Sequence, residues 1–305
     1  MPTYRILALD GGGTKGLLTA TLLHRLNQAH PGFLSSIDLI AGTSTGGLLA
    51  LAIAGGIAPK RIAQLYLTKS KKIFKDSLLD NLKDLGNARG AQYETKPLRK
   101  EIERVLGDKR LRDLSTRVLV PAFDLNSGTK SAPKSWKPKF FHNFPGSDSD
   151  GSQSAVDVAL RTSAAPTYFP SYQGYIDGGV VANNPSMAAL ATALDERCGN
   201  QALSDVVILS LSSGTEPKYI KGETLDWGWA RWARPVINLM ISGTMGVAHF
   251  QCEQILGDRY HRIDPTLGRG IDLDAKDDKT LSYLKRRGET ASLSKTLSWL
   301  HKVNW

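Results

Sequence analysis

Three short glycine-rich segments of this 305-residue chain carry side chains whose type and spacing could do chemistry. Gly42-Thr43-Ser44-Thr45-Gly46-Gly47 is a Gly-x-Ser-x-Gly between two apolar runs. Where a strand turns sharply into a helix, neighbouring backbone comes too close to admit a Cβ, so Gly42 and Gly46 would let the turn lift Ser44 to the sheet edge as a nucleophile. The second segment is Asp10-Gly11-Gly12-Gly13-Thr14-Lys15-Gly16. Its glycines leave peptide N–H groups unobstructed at a helix N-terminus, a place that binds negative charge, either a phosphate or the oxyanion of a tetrahedral acyl intermediate. The third is Tyr175-Ile176-Asp177-Gly178-Gly179, followed by Asn183-Asn184-Pro185. In isolation it is a turn after a strand, with a carboxylate at its shoulder.

The glycine turn alone is ambiguous. Gly11-x-Gly13-x-x-Gly16 also fits the dinucleotide fingerprint, but that fold wants an acidic residue closing its second strand about 20 residues on. Here Asp38 precedes the strand and Gly42 follows it. The same turn resembles the phosphate loop of sugar kinases with an actin-like fold. In that fold the turn should lead into a β-hairpin, whereas Leu17, Leu18, Leu22, Leu23 and Leu26 fall near helical spacing.

The elements that must position these residues follow in a regular rhythm. Strands are expected at 5–9, 37–41, 117–122, 175–176 and 206–211, and helices at 16–29, 47–54, beyond Pro59, and at 96–106, 155–161 and 186–197. Strand, helix, strand, helix argues for a mainly parallel sheet covered on both faces, hence a three-layer α/β/α domain. From Leu225 the chain reads as helical, with long loops expected at 131–151 and 268–279. No linker or repeat divides it, so one domain over 1–305 is expected, its motifs within 3–215 and a helical extension over 225–305. The apolar run 37–58 is broken by Asp38 and by the Gly and Thr residues of 42–47, which excludes a membrane span.

Thirty-nine basic and 29 acidic residues leave a net charge of +10, which favours an anionic surface. Composition does not choose between nucleic acid and phospholipid: the basic clusters lack the aromatic interleaving of a base-stacking platform, and each taken singly reads as a solvated face. The first strand begins almost at Met1 with no room for a signal core, and Cys198 and Cys252 are too few for a disulfide framework. A cytoplasmic protein, peripheral to the membrane, is the expectation.

The three segments in this order resemble the patatin-like phospholipase family. The likeness extends through Arg161-Thr162-Ser163-Ala164-Ala165-Pro166-Thr167-Tyr168-Phe169 and on to Thr215, with Lys15 standing where the family usually has Arg. It implies a patatin-like α/β/α fold and a lipid acyl hydrolase of the phospholipase A or lysophospholipase type, acting on phospholipid or galactolipid at a membrane surface. It further implies a dyad in which Asp177 contacts Ser44 directly, with the N–H groups of Gly11, Gly12 and Gly13 forming the oxyanion hole. No cofactor or metal is expected, and no acidic loop has calcium-ligand spacing. An acyl enzyme on Ser44 would equally serve an acyltransferase, and a nucleotide-binding kinase built on the glycine turn remains the more distant alternative. An activator or regulatory ligand is left open. A carboxylate base, with a reference pKa of about 4 against about 6.5 for imidazole, implies activity persisting into mild acid. Trp227, Trp229 and Trp232 with Arg231 and Arg234, and the stretch Trp136, Phe140, Phe141 and Phe144 among Lys134, Lys137 and Lys139, are two candidate lipid-docking sets.

Overall fold

Alternation along the first strand decides the layers. In β1 (Tyr4–Leu9), Leu7 and Leu9 face one apolar cluster while Ile6 and Ala8 face another. A strand buried on both sides needs cover on both sides. The computed structural model describes residues 3–75, 90–128, 133–217 and 219–305, apart from the side chains of 229, 230, 233 and 234.

β1 pairs in parallel with β2 (Leu39–Gly42) and with β6 (Val206–Leu211), and β6 in parallel with β7 (Tyr260–Ile263). β3 (Arg117–Ser127) runs parallel to β2, then extends beyond it to pair antiparallel with β4 (Ser135–His142) and β5 (Tyr175–Asp177). The order is β4-β3-β2-β1-β6-β7, with β5 joined to β3. One face is covered by α1 (Gly16–Ala29), α2 (Thr45–Ala54), α3 (Pro59–Ile73), α4 (Thr95–Leu106) and α5 (Ala155–Thr162), which bury their leucines, isoleucines and valines against Leu7, Leu9, Ile40 and Val120. After a one-turn helix α6 (Gly179–Ala182), the other face takes Ala189, Leu190 and Ala193 of α7 (Ser186–Leu194) and Cys252 and Leu256 of α8 (Trp229–Leu256). The chain closes with α9 (Asp278–Thr290), packed on α1, and α10 (Ser294–Lys302), whose Trp299 joins the first cluster with Trp305 and Phe33.

The mixed α/β architecture with a mostly parallel sheet is as the sequence implied, with two differences. The expected loop 131–151 contains β4; residues 129–132 lie outside the described ones. β4 is an edge strand whose Lys137, Pro138 and Lys139 protect an open edge, and those residues disguise it as loop. The helical extension contains β7, whose Tyr-His-Arg-Ile reads as polar because Arg262 is there to bind a buried carboxylate. The glycine turn passes through a 3-10 turn (Gly13–Lys15) straight into α1, so the hairpin that a kinase loop would need is absent. Among the described residues no helix is long and apolar enough to cross a membrane.

Candidate active site

β1, β2 and β5 end together, and their carboxyl ends carry the three glycine-rich segments into one crevice, the usual binding place in an open α/β sheet. Ser44 stands between β2 and α2 at φ 54°, ψ −123°, a left-handed backbone that a residue with a Cβ adopts only under constraint. The constraints are identifiable. A Cβ on Gly42 would lie 2.1 Å from the Gly46 carbonyl, and one on Gly46 would lie 2.2 Å from that of Leu9. The Ser44 N–H donates to Thr162 Oγ1 at 2.9 Å, while the Thr162 hydroxyl donates to the Pro121 carbonyl at 2.6 Å. The serine thus occupies the N-terminus of α2, where the helix dipole favours negative charge.

Asp177 reaches the same point from β5. Ser44 Oγ donates to Asp177 Oδ2 at 2.6 Å, and the Gly179 N–H donates to Oδ1 at 2.7 Å. The carboxylate is 5 % exposed. Burial pushes its pKa up to about 6, although the hydrogen bonds from Ser44 and Gly179 pull the other way. This alters the pH expectation, because a base titrating near 6 loses its charge where an imidazole would gain one. Gly178 lies against β3, its absent Cβ 2.3 Å from the Pro121 carbonyl.

The glycine turn lies beside this pair, its members treated unequally. The Gly11 N–H donates to the Asn183 carbonyl at 3.1 Å and so is engaged already. The Gly12 and Gly13 N–H groups make no hydrogen bond among the described residues. Of the three amides expected to hold an oxyanion, these two remain. Ser213 Oγ donates to the Gly11 carbonyl at 2.8 Å, and a Cβ on Gly12 would fall 2.2 Å from that same oxygen of Ser213. Two buried ion pairs anchor the turn's flanks, Asp10 with Arg262 at 2.6 Å and Lys15 with Glu216 at 2.5 Å.

None of the six histidines hydrogen-bonds to Ser44 or Asp177 among the described residues. His249 lines the same cavity, with its Nδ1 3.3 Å from the Tyr260 hydroxyl. That cavity measures about 940 Å³, near the top of the range for small-molecule sites. Its polar end holds Ser44, Asp177 and the glycine turn; its apolar walls include Leu48 and Ala52 of α2, Ile62 and Ile73 of α3, Ile102 and Leu106 of α4, and Ile241 and Met245 of α8.

The two aromatic sets fare differently. The Trp227 and Trp232 rings pack tilted to one another, their centroids 5.2 Å apart, with the Arg231 guanidinium 5.0 Å from the Trp227 ring, while the side chains of Trp229 and Arg234 lie outside the described residues. In the second set Phe141 and Phe144 are core and Phe140 packs against it; of its four aromatics Trp136 is exposed, beside the exposed Lys134 and Lys137. Residues Ser135–His142 of this stretch form strand β4 rather than a loop. Thr162, Ser213 and the Asn183 backbone, which fix the serine and the glycine turn, had no role in the reading of the sequence. Their contacts join segments 118, 202 and 172 residues apart, and a linear pattern carries no sign of them.

A family model described as Patatin-like phospholipase matches residues 7–190, more than half of the chain. Protein teg of Priestia megaterium is 32% identical over 297 residues, covering 88% of this chain and 89% of that protein. A cGAMP-activated phospholipase of Vibrio cholerae is 33% identical over 325 residues, covering 93% and 89%. Among solved structures, VipD from Legionella pneumophila aligns with a TM-score of 0.46 at 13% identity, over 99% of this chain and 67% of that one.

Proposed function

The chain belongs to the patatin-like phospholipase family, and from that premise we propose that it is a lipid acyl hydrolase using Ser44 as nucleophile and Asp177 as its only base. The observation that carries the reading is the 2.6 Å hydrogen bond from Ser44 Oγ to Asp177 Oδ2 at the polar end of a largely apolar cavity. Ser44 Oγ attacks the acyl carbonyl as its proton passes to Asp177. The Gly12 and Gly13 N–H groups receive the oxyanion. Collapse returns the proton to the departing alcohol and leaves the acyl group on Ser44. Asp177 then takes a proton from water, which attacks the ester, and collapse passes that proton to Ser44 Oγ as the fatty acid leaves, restoring the hydroxyl and the carboxylate. The walls from α2, α3 and α4 suit an alkyl chain, since burying each CH₂ contributes about 0.8 kcal/mol.

Peripheral action at a membrane belongs to the same proposal. One side of α8 lines the cavity through Ile241 and Met245, while Leu239, Met240, Val247 and Phe250 on the same helix stand 46 to 61 % exposed. Such a helix, next to the site and amphipathic in this sense, suits an enzyme that draws its substrate from a lipid interface. Some relatives are named for activation by cGAMP. Carried to this chain, that name predicts that cGAMP raises hydrolysis several-fold, and equal turnover with and without it removes the activator from the reading.

The test is covalent. Incubation with a fluorophosphonate ester, digestion and mass spectrometry should place the label on the peptide containing Ser44. A label elsewhere, or none on active protein, contradicts the proposal.

A further inference from the structure

A second cluster of chemically competent side chains lies away from the cavity, at the back of the sheet. His142 ends β4, Asp148 sits in the loop that follows, and Cys198 sits in the turn after α7. One donor atom from each lies within 4.8 Å of the others. His142 is 8 % exposed, yet its Nδ1 has no hydrogen-bond partner, and its ring makes no hydrogen bond among the described residues. An orphaned polar atom in the interior is costly and calls for an explanation.

We propose that His142, Asp148 and Cys198 form a binding site for a transition-metal dication, with Zn(II) the best match, clipping the β4 edge of the sheet to the end of α7. The donor set selects the ion. Imidazole nitrogen, thiolate sulfur and carboxylate oxygen are together the ligands of zinc, whereas calcium and magnesium take oxygen alone. Three protein ligands leave a fourth tetrahedral position, and Asp148 faces solvent, from which a water can fill it.

The surroundings are built to hold the ligands. The Asp150 carboxylate accepts the His142 backbone N–H at 3.2 Å and a Lys139 ammonium hydrogen bond at 2.8 Å, and the Asp150 N–H donates to the His142 carbonyl at 2.9 Å. Gly146, at φ +143°, turns the loop so that Asp148 comes back towards the sheet. On the other side Asp195 accepts hydrogen bonds from the Arg197 backbone and guanidinium, which closes the turn carrying Cys198. The Arg197 guanidinium also stands 3.9 Å from Asp148. Coordination displaces the Cys198 thiol proton to solvent, so one thiolate and one carboxylate balance the charge of the dication.

Full-length reduced protein, titrated with Co(II), should bind one equivalent, with a thiolate-to-cobalt charge-transfer band in the near ultraviolet and the intense visible bands of tetrahedral geometry. Zn(II) should displace it, and competition with a chromogenic chelator gives its affinity. Cys198→Ser and Asp148→Asn should each weaken Zn(II) binding at least about a hundredfold, the upper end of what losing a mere outer-shell partner costs. Both positions lie in turns, and a thermal melt shows that the variants fold. Cys252→Ala, which alters the buried thiol of α8, should retain the spectrum. Absence of stoichiometric binding by the wild type overturns the site. So does cobalt without a sulfur band, or wild-type affinity in folded Cys198→Ser. Neither variant touches Ser44 or Asp177, so the outcome is independent of the hydrolase reading.

Discussion

In the proposed mechanism Asp177 has to be buried enough to meet Ser44 and charged enough to take its proton, and the two requirements oppose each other. Its pKa of about 6 in the folded protein lies above the ordinary value of 3.8. The folded state therefore binds this proton more tightly than the unfolded chain does. The carboxyl's contribution to stability is greatest below about pH 4 and is lost as pH rises through 6. Above that pH the buried charge costs about 3 kcal/mol, at about 1.4 kcal/mol per pKa unit. Asp177→Asn should accordingly be more stable than the wild type in urea denaturation at about pH 8, with the gap closing by about pH 4. Equal stability at both pH values contradicts the burial argument. The same value predicts that kcat/KM falls on the acid side with a midpoint near pH 6. The sequence alone implied activity further into acid, because reference pKa values contain no burial. The pH profile therefore does not separate a carboxylate base from an imidazole, and variants must.

Gly12 offers a second prediction at this scale. A methyl there would strike Ser213 Oγ and tilt the amides of the turn. Gly12→Ala should lower kcat on a soluble ester on the order of 10²-fold, the scale of losing one oxyanion donor. Unchanged kcat means that the turn does not hold the oxyanion. That Ser44, Asp177 and the glycine turn could be nominated from the sequence reflects a local signature at each turn, and the structure brings the three together. Thr162 and Ser213 were not legible, because a single hydroxyl acting across more than a hundred residues leaves no spacing to recognise.

At the scale of elements, what reads well is what is driven by burial. β1, β2, β6, α1 and α2 are almost wholly buried, so their apolar runs announce them. β4 and β7 were hidden for opposite reasons, one by lysines guarding an open edge and the other by an arginine neutralising Asp10. α8 was read correctly as helix, but its two-sided character required the fold. Its exposed face belongs to the membrane proposal. Met240→Glu with Phe250→Glu should weaken binding to phospholipid vesicles in a sedimentation assay while leaving hydrolysis of a short soluble ester nearly unchanged. Undiminished vesicle binding assigns the docking surface elsewhere.

For the whole molecule the relevant quantity is the net charge of +10. If the basic surface steers the protein to lipid, binding to vesicles containing anionic lipid should fall as salt approaches about 0.5 M, because exposed charges are then screened beyond a few ångströms. Binding indifferent to salt and to lipid charge contradicts this. The two apolar clusters on either side of the sheet hold the carboxyl ends of β1, β2 and β5 together, so the Ser44–Asp177 contact, and with it the proposed dyad, is a product of the entire packing arrangement rather than of any one motif. The most direct test of that dyad is kcat of folded Asp177→Asn on a soluble ester, measured beside single His→Gln variants at His24, His30, His142, His249, His261 and His301. The account predicts a loss on the order of 10³-fold or more for Asp177→Asn, within reach of what a positioned base supplies, and near-wild-type turnover for all six histidine variants. Any folded histidine variant as inactive as Ser44→Ala, or Asp177→Asn with most of its activity intact, would show that Asp177 is not the base.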